Sequence, residues 1–300
     1  MITKIKEPFR PNDLDVILHP FVREWFFNKF KEYSLPQLYG VMEVHNKNNV
    51  LISAPTGATK TLTAFLAILN ELVTLDLKGE LKDQTYAVYI SPLKALSSDI
   101  THNLLTPLKE IGEIAKKHGF KLNIRVGLRT GDTTPSERAK MARKPVHILV
   151  STPESLAIVL TTMKFREYLR DVNYCILDEI HALADNKRGV HLSLSVERLG
   201  DLTRNDFCRI GLSATVSPLE EIAKYLVGSE GDCGIVDVQF IKKMDLKVLS
   251  PVKDLINTDY HEQSSKMYGL MDKLIQDHKT TLIFTNTRAA TERVVDHLKE

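Results

Sequence analysis

Short apolar runs and amphipathic stretches take turns along most of this chain. Leu51 to Ser53 reads as a buried strand, and behind it Leu62, Phe65, Leu66, Leu69 and Leu72 recur on one face of a helix. Tyr86–Ile90 is a second buried run. A helical pattern through Leu108, Ile111 and Ile114 follows it and stops at Gly119, a residue suited to a helix C-terminus. Further strands are predicted at Leu122–Val126, His147–Val150, Tyr174–Leu177 and Arg209–Leu212. Strands alternating with helices predict an α/β fold, with a parallel sheet covered by helices on both faces.

The ends of the chain have a different texture. Residues 12–33 form a helical stretch in which Phe21, Trp25, Phe26 and Phe30 fall close to one face, and Leu35-Pro36-Gln37 opens another helix. Around Gly228–Gly234 the chain becomes turn-rich, and residues 235–260 carry strand-like fragments of lower regularity. A helix at about 262–277, a strand at Thr281–Phe284 and a helix carrying Ala290, Val294, Val295 and Leu298 close the sequence. The predicted division is therefore a first domain over 1–240 and a second beginning at 241. Residues 241–300 are too few to complete a nucleotide-binding half of ~150 residues.

Polar motifs stand at the ends of the predicted strands, where ligands bind in parallel α/β sheets. Ala54-Pro55-Thr56-Gly57-Ala58-Thr59-Lys60-Thr61 lies between strand and helix. In a phosphate-binding loop, backbone N–H groups cradle phosphates, the Lys reaches the outer ones and the Thr hydroxyl holds Mg2+. Thr59 stands where that signature has Gly, so a β-branched side chain occupies a position of close backbone approach. Asp178-Glu179 after an apolar strand suits a Mg2+ ligand followed by a base that deprotonates the attacking water. The plainer alternative is a solvated carboxylate pair. His181 can bridge toward Ser213 and Thr215. Gln37 can read an adenine edge with its amide or can be a surface residue.

Composition narrows the partners. The 300 residues are 43% hydrophobic and 26% charged, ordinary for a globular core, with a formal net charge of +2. Between Ile114 and Lys144 nine basic residues stand against two acidic ones, a local patch suited to a phosphate backbone or a solvated basic face. Thr130, Gly131, Thr152 and Ser155 add small donors that can bind phosphates without reading bases. Three cysteines lie far apart, which argues against disulfides and a zinc site. No apolar run approaches the ~20 residues of a membrane span, and no signal peptide opens the chain. A cytoplasmic protein without membrane contact is expected.

Taken in order, APTGATKT, SPLKAL, RTGDT, STPES, LDEIHAL, LSAT and IFTNTR resemble motifs I to IV of superfamily 2 helicases. Blocks such as LDEIHALADNKRGVHLSLSVERL resemble the large helicase-related (Lhr) proteins, from about His19-Pro20 to the end. The resemblance implies a RecA-like first domain, the beginning of a second, and ATP and Mg2+ as cofactors. Gln37 would sense adenine, Pro55 to Thr61 would hold the phosphates, Lys60 the outer ones, and Thr61 with Asp178 the Mg2+. Glu179 would activate water beside His181, and Ser213, Ala214 and Thr215 would couple hydrolysis to movement. Pro92, Lys94, Arg129, Thr130, Gly131, Thr152, Pro153, Glu154, Ser155, Thr285 and Arg288 would track one nucleic-acid strand. The implied activity is 3′ to 5′ translocation and unwinding by a monomer acting on single-stranded DNA or RNA, or on DNA–RNA hybrids. Motifs V and VI are not among these blocks. Because an arginine finger contributes about 10³–10⁵ in rate, very slow hydrolysis and no unwinding are expected of the 300 residues by themselves. The competing expectation is a nucleic-acid-binding scaffold whose ATPase Thr59 has silenced.

Overall fold

The computed structural model describes residues 1–55, 59–92, 99–238 and 245–298. The chain divides into two compact units, Met1–Phe240 and Ile241–Glu300. The first is built on eight strands: β1 (Ile2–Lys4), β2 (Val50–Ser53), β3 (Ala87–Ile90), β4 (Val126–Arg129), β5 (Ile148–Ser151), β6 (Tyr174–Leu177), β7 (Cys208–Ser213) and β8 (Cys233–Asp237). They form one sheet in the order β1-β8-β2-β7-β6-β3-β5-β4, with parallel pairing throughout.

Alternation along each strand explains why both faces are dry. Val50 and Ile52 enter one core, while Leu51 between them enters the other. Likewise Ile176 faces the first core and Cys175 and Leu177 the second. Helices Pro11–Ile17, Pro20–Lys29, Leu35–His45, Lys60–Leu77 and Thr106–Lys117 supply the first core. Helices Pro153–Thr161, Met163–Leu169, Lys187–Leu202 and Leu219–Val227 supply the second. Strands buried on both faces read as continuous apolar runs, which is why β2, β3, β5, β6 and β7 were visible in the sequence.

Four expectations need correction. The strand expected at Leu122–Val126 pairs instead over Val126–Arg129. Leu122 and Ile124 pack against the core, but the Asn123 amide donates to the Asp76 carboxylate, so apolar alternation continues without a ladder there. The helical stretch 12–33 is two helices, broken where Leu18 is extended and Pro20 restarts the helix behind His19. Cys233–Asp237, part of it expected as turn, is an inner strand between β1 and β2, and β1 itself was not anticipated. Glycine-flanked and three-residue strands carry too few side chains to show a period. Thr281–Phe284 forms no ladder among the described residues, and Leu282 and Phe284 are exposed. The second unit contributes helices Tyr260–Gln276 and Arg288–His297, where the Tyr268 and His297 rings lie 4.2 Å apart.

One buried amide ties the N-terminal helices to the helix behind β2. Asn70 accepts from the His19 amide at 2.6 Å and donates to the Ile17 carbonyl at 3.0 Å. Truncation leaves two backbone groups without partners, each costing roughly 1–3 kcal/mol when buried. Asn70→Ala is expected to lose about 2 kcal/mol in urea unfolding. A change within a few tenths would contradict this role.

Candidate nucleotide and nucleic-acid site

Parallel pairing of β2, β7, β6 and β3 brings their carboxyl ends to one edge of the sheet. Lys60 starts the helix Lys60–Leu77 immediately behind β2, and its ammonium is buried. It donates to the carbonyls of Ala54 at 2.7 Å and Pro55 at 3.0 Å. Burial lowers its pKa, opposed by the nearby charges of Glu179 and Asp178. Asp178 is also buried. The Tyr89 hydroxyl and, at 2.8 Å, the Glu179 amide donate to its carboxylate. Burial still pushes the Asp178 carboxyl up from its ordinary value. Burial, and then the Asp178 charge, push the Tyr89 hydroxyl up as well, so it stays a donor.

Glu179 occupies the left-handed region at φ 49°, which turns the chain sharply out of β6 into the short helix Ile180–Ala182. Non-glycine residues adopt that conformation at a cost, and such outliers cluster at functional sites. His181 then stands beside Glu179. Its Nδ1 accepts from the Ala214 amide at 3.3 Å, which leaves the proton on Nε2, 3.4 Å from Glu179 Oε2. The bridge thus reaches the Ala214 backbone rather than the Ser213 or Thr215 side chains. Ser213 Oγ donates to the Ala214 carbonyl at 2.8 Å, and Thr215 is exposed.

Lys60, Thr61, Asp178 and Glu179 line one cavity of about 560 Å³ together with Thr59. Its far wall was not foreseen. Trp25 and Phe30 lie on it, where Trp25 Nε1 and Lys29 Nζ each meet the Glu110 carboxylate at 2.7 Å. Aromatic clustering in 12–33 was legible, but it indicated packing and not a wall. Gln37 is buried and caps its own helix, accepting from the Ser34 amide at 2.8 Å. Its Nε2 has no partner.

Thr59 adopts φ 28°, a value that strains a β-branched residue, and its hydroxyl meets Ser34 Oγ at 2.6 Å. Thr56, Gly57, Ala58 and Lys94 lie outside the described residues.

A second cluster stands at the ends of β4 and β5. Arg129 ends β4 with its guanidinium over the Phe165 ring at 5.8 Å, and its Nη1 is buried without a partner. Thr130 is held by Thr133, whose Oγ1 accepts from the Thr130 amide at 2.8 Å, and Arg138 Nη2 donates to Gly131 O at 3.1 Å. Thr152 caps Pro153–Thr161, accepting from the Ser155 amide. Glu154 is taken by Arg188, a residue the sequence reading left without a role. Thr285 and Arg288 belong to the second unit, where Arg288 opens the last helix.

An all-parallel sheet with Lys60, Asp178 and Glu179 around one cavity at its strand ends defines a RecA-like P-loop NTPase domain. The model of the DEAD/DEAH box helicase family matches residues 34–222, and the chain belongs to that family. All of the chain aligns at 53% identity over 303 residues with 35% of an ATP-dependent helicase Lhr-Core of Methanothermobacter thermautotrophicus. The Lhr helicase/uracil glycosylase of Escherichia coli is 37% identical over 304 residues, covering 95% of this chain and 20% of that protein. Among solved structures, the Mycobacterium smegmatis helicase Lhr bound to ssDNA and AMP-PNP superposes with TM-score 0.77 at 39% identity, over 94% of this chain and 35% of that one. The DEAD-box helicase Mss116, at TM-score 0.64 and 18% identity over 79% of this chain and 47% of that one, shares the fold. The chain spans about a third of the length of the Lhr-Core relatives. No helix among the described residues is long and apolar enough to cross a membrane.

Burial penalises the charge on Lys60 more than the neighbouring Glu179 and Asp178 charges repay it, so the ammonium adds little to folding. Lys60→Met is therefore expected to leave the thermal midpoint unchanged or raise it. A fall of several degrees would make Lys60 a structural cation.

Proposed function

We propose that the chain is the ATP-binding part of a helicase motor that couples ATP hydrolysis to 3′ to 5′ movement along one strand of DNA or RNA. The observation that carries this reading is the single cavity lined by Lys60, Thr61, Asp178 and Glu179. The donor set fits Mg2+–ATP. Gln37 Nε2 is an orphaned buried donor suited to an acceptor on a nucleobase edge. No group of three or more metal-ligating side chains occurs among the described residues. That suits Mg2+, which takes one or two protein ligands and keeps water and phosphate oxygens for the rest.

Bound Mg2+–ATP supplies the phosphoryl group whose transfer to water drives the motor. Lys60, which now donates to the Ala54 and Pro55 carbonyls, would turn to the outer phosphates, and backbone N–H groups at the start of the helix Lys60–Leu77 would help hold them. Thr61 and Asp178 would hold the metal, which would neutralise charge on the phosphates. Glu179, oriented by the Nε2 proton of His181, takes a proton from water. The contact between His181 and Ala214 carries the state of that centre into the Ser213–Thr215 segment. Arg129, Thr130, Gly131, Thr152, Ser155, the backbone at Pro92 and Lys94 bind phosphates of the tracked strand. A cytoplasmic monomer acting on single strands and on DNA–RNA hybrids completes the reading.

Thr59 favours a second reading. Its strained φ and its tie to Ser34 would, if they hold the loop shut, leave a nucleic-acid-binding scaffold without turnover. Single-strand affinity measured with and without Mg2+–AMP-PNP separates the two. A motor changes affinity with nucleotide state by about 5–150-fold. Affinity indifferent to the nucleotide contradicts the motor and favours the scaffold.

A further inference from the structure

The Arg188 guanidinium grips the chain just beyond β3 and the first turn of the helix after β5 at once. Its Nε and Nη2 meet the two carboxylate oxygens of Glu154, the second pair at 3.1 Å, and Nη1 donates to the Pro92 carbonyl at 2.8 Å. Arg188 in turn sits on a short, tightly packed segment that begins at Asp178-Glu179. Asn186 donates to the Ala182 carbonyl at 2.7 Å and accepts from the Gly189 amide at 3.0 Å. Gly189 lies so close to Leu183 that an added Cβ would fall 1.8 Å from the Leu183 carbonyl oxygen. The Tyr225 hydroxyl donates to the Gly189 carbonyl at 2.7 Å, fixing the helix start from the other side. The base of the clamp is therefore rigid, and its two ends are Pro92 beyond β3 and the first turn of the helix Pro153–Thr161.

Both carboxylate oxygens of Glu154 are occupied, and Arg188 holds its carboxyl down at about 2, so it is an anion at any working pH. An anion among phosphate-binding groups repels the strand unless its charge is answered. That is a poor phosphate contact and a good anchor. Resting on the nucleic-acid reading above, we propose that Arg188 and Glu154 are positioning residues that hold Pro92, at the end of β3, and the Thr152–Ser155 helix start, at the end of β5, at the spacing of one nucleic-acid strand. They touch each other rather than the strand. This moves Glu154 from the strand-tracking set, where sequence put it, to the support behind it. The side chains of Arg188 and Glu154 are 40% and 52% exposed, and exposed pairs add little to stability. Their removal acts on that spacing more than on folding.

The test is fluorescence anisotropy of short fluorescein-labelled single-stranded oligonucleotides, one DNA and one RNA, at several salt concentrations. Wild type is compared with Arg188→Ala, Arg188→Lys, Glu154→Gln and the Arg188→Ala/Glu154→Gln double variant. Each single change is expected to weaken binding about tenfold, and the double variant to be no weaker than either single one, as coupled neighbours behave. Arg188→Lys, which keeps the charge and loses the fork, is expected to behave like Arg188→Ala. The slope of log affinity against log salt stays at the wild-type value.

A direct phosphate contact by Arg188 would flatten that slope by about 0.7. It would also leave Glu154→Gln at or above wild-type affinity. Either result overturns the proposal, as does additive loss in the double variant. Weakened binding accompanied by an equal fall in thermal midpoint would mean a structural role and overturns it too. Absence of binding by the wild-type protein removes the nucleic-acid reading and this inference with it. Binding by wild type with any of the other patterns removes this inference alone.

Discussion

Parallel pairing of β2, β7 and β6 is the constraint on which the site depends. Each of these strands is buried on both faces, so none can slip by one residue without turning its apolar side chains from one core into the other. Their fixed register puts Ser53, Ser213 and Leu177 at one edge, and the chain beyond each carries Lys60, Ala214 and Asp178 into one neighbourhood. Charged groups are then held where water is scarce. Burial works against the charge on Lys60 and Asp178 alike, and their mutual attraction only partly offsets it. In the proposed reading, Mg2+–ATP relieves this by bringing both anionic oxygens and a divalent cation.

The same edge gathers the second cluster. Because β3, β5 and β4 continue the sheet in parallel, the loops after them end on the same side as the nucleotide cavity. Segment 178–189 spans the two clusters, starting at the carboxylates and finishing at the guanidinium that grips Glu154 and Pro92. Covalent continuity and close packing at Gly189 join them without a change of domain. His181 makes the other connection, accepting from the Ala214 amide.

Much of this was legible because doubly buried strands announce themselves. Five of the eight strands appear in the sequence as apolar runs, interrupted only by Arg209 in β7, and each leads into a recognisable polar motif. What stayed hidden had physical causes. Ile2–Lys4 is too short to show a pattern, and Cys233–Asp237 follows directly on the turn-rich Gly228–Asp232 and carries Gly234 against the Ile5 side chain, so only Ile235 and Val236 show as a run. Leu122–Val126 alternates like a strand, but its outward backbone is claimed by Asp76. Among site residues, Lys60, Asp178, Glu179 and His181 were readable from local order. Trp25 and Arg188 were not, since their roles come from partners 85 and 34 residues away, Glu110 and Glu154.

Thr59 is where sequence and geometry raise the same question. Its backbone adopts the kind of conformation that a glycine takes freely, and its hydroxyl has found a partner in Ser34. A strained residue with a new hydrogen bond is consistent with a tolerated substitution as much as with a closed loop. The most direct test is equilibrium binding of a fluorescent ATP analogue with Mg2+ to wild type, Thr59→Gly and Lys60→Ala. If the cavity at the end of β2 and β6 is an ATP site, wild type and Thr59→Gly bind comparably and Lys60→Ala does not bind. Binding by Thr59→Gly alone, or binding that survives Lys60→Ala, contradicts it.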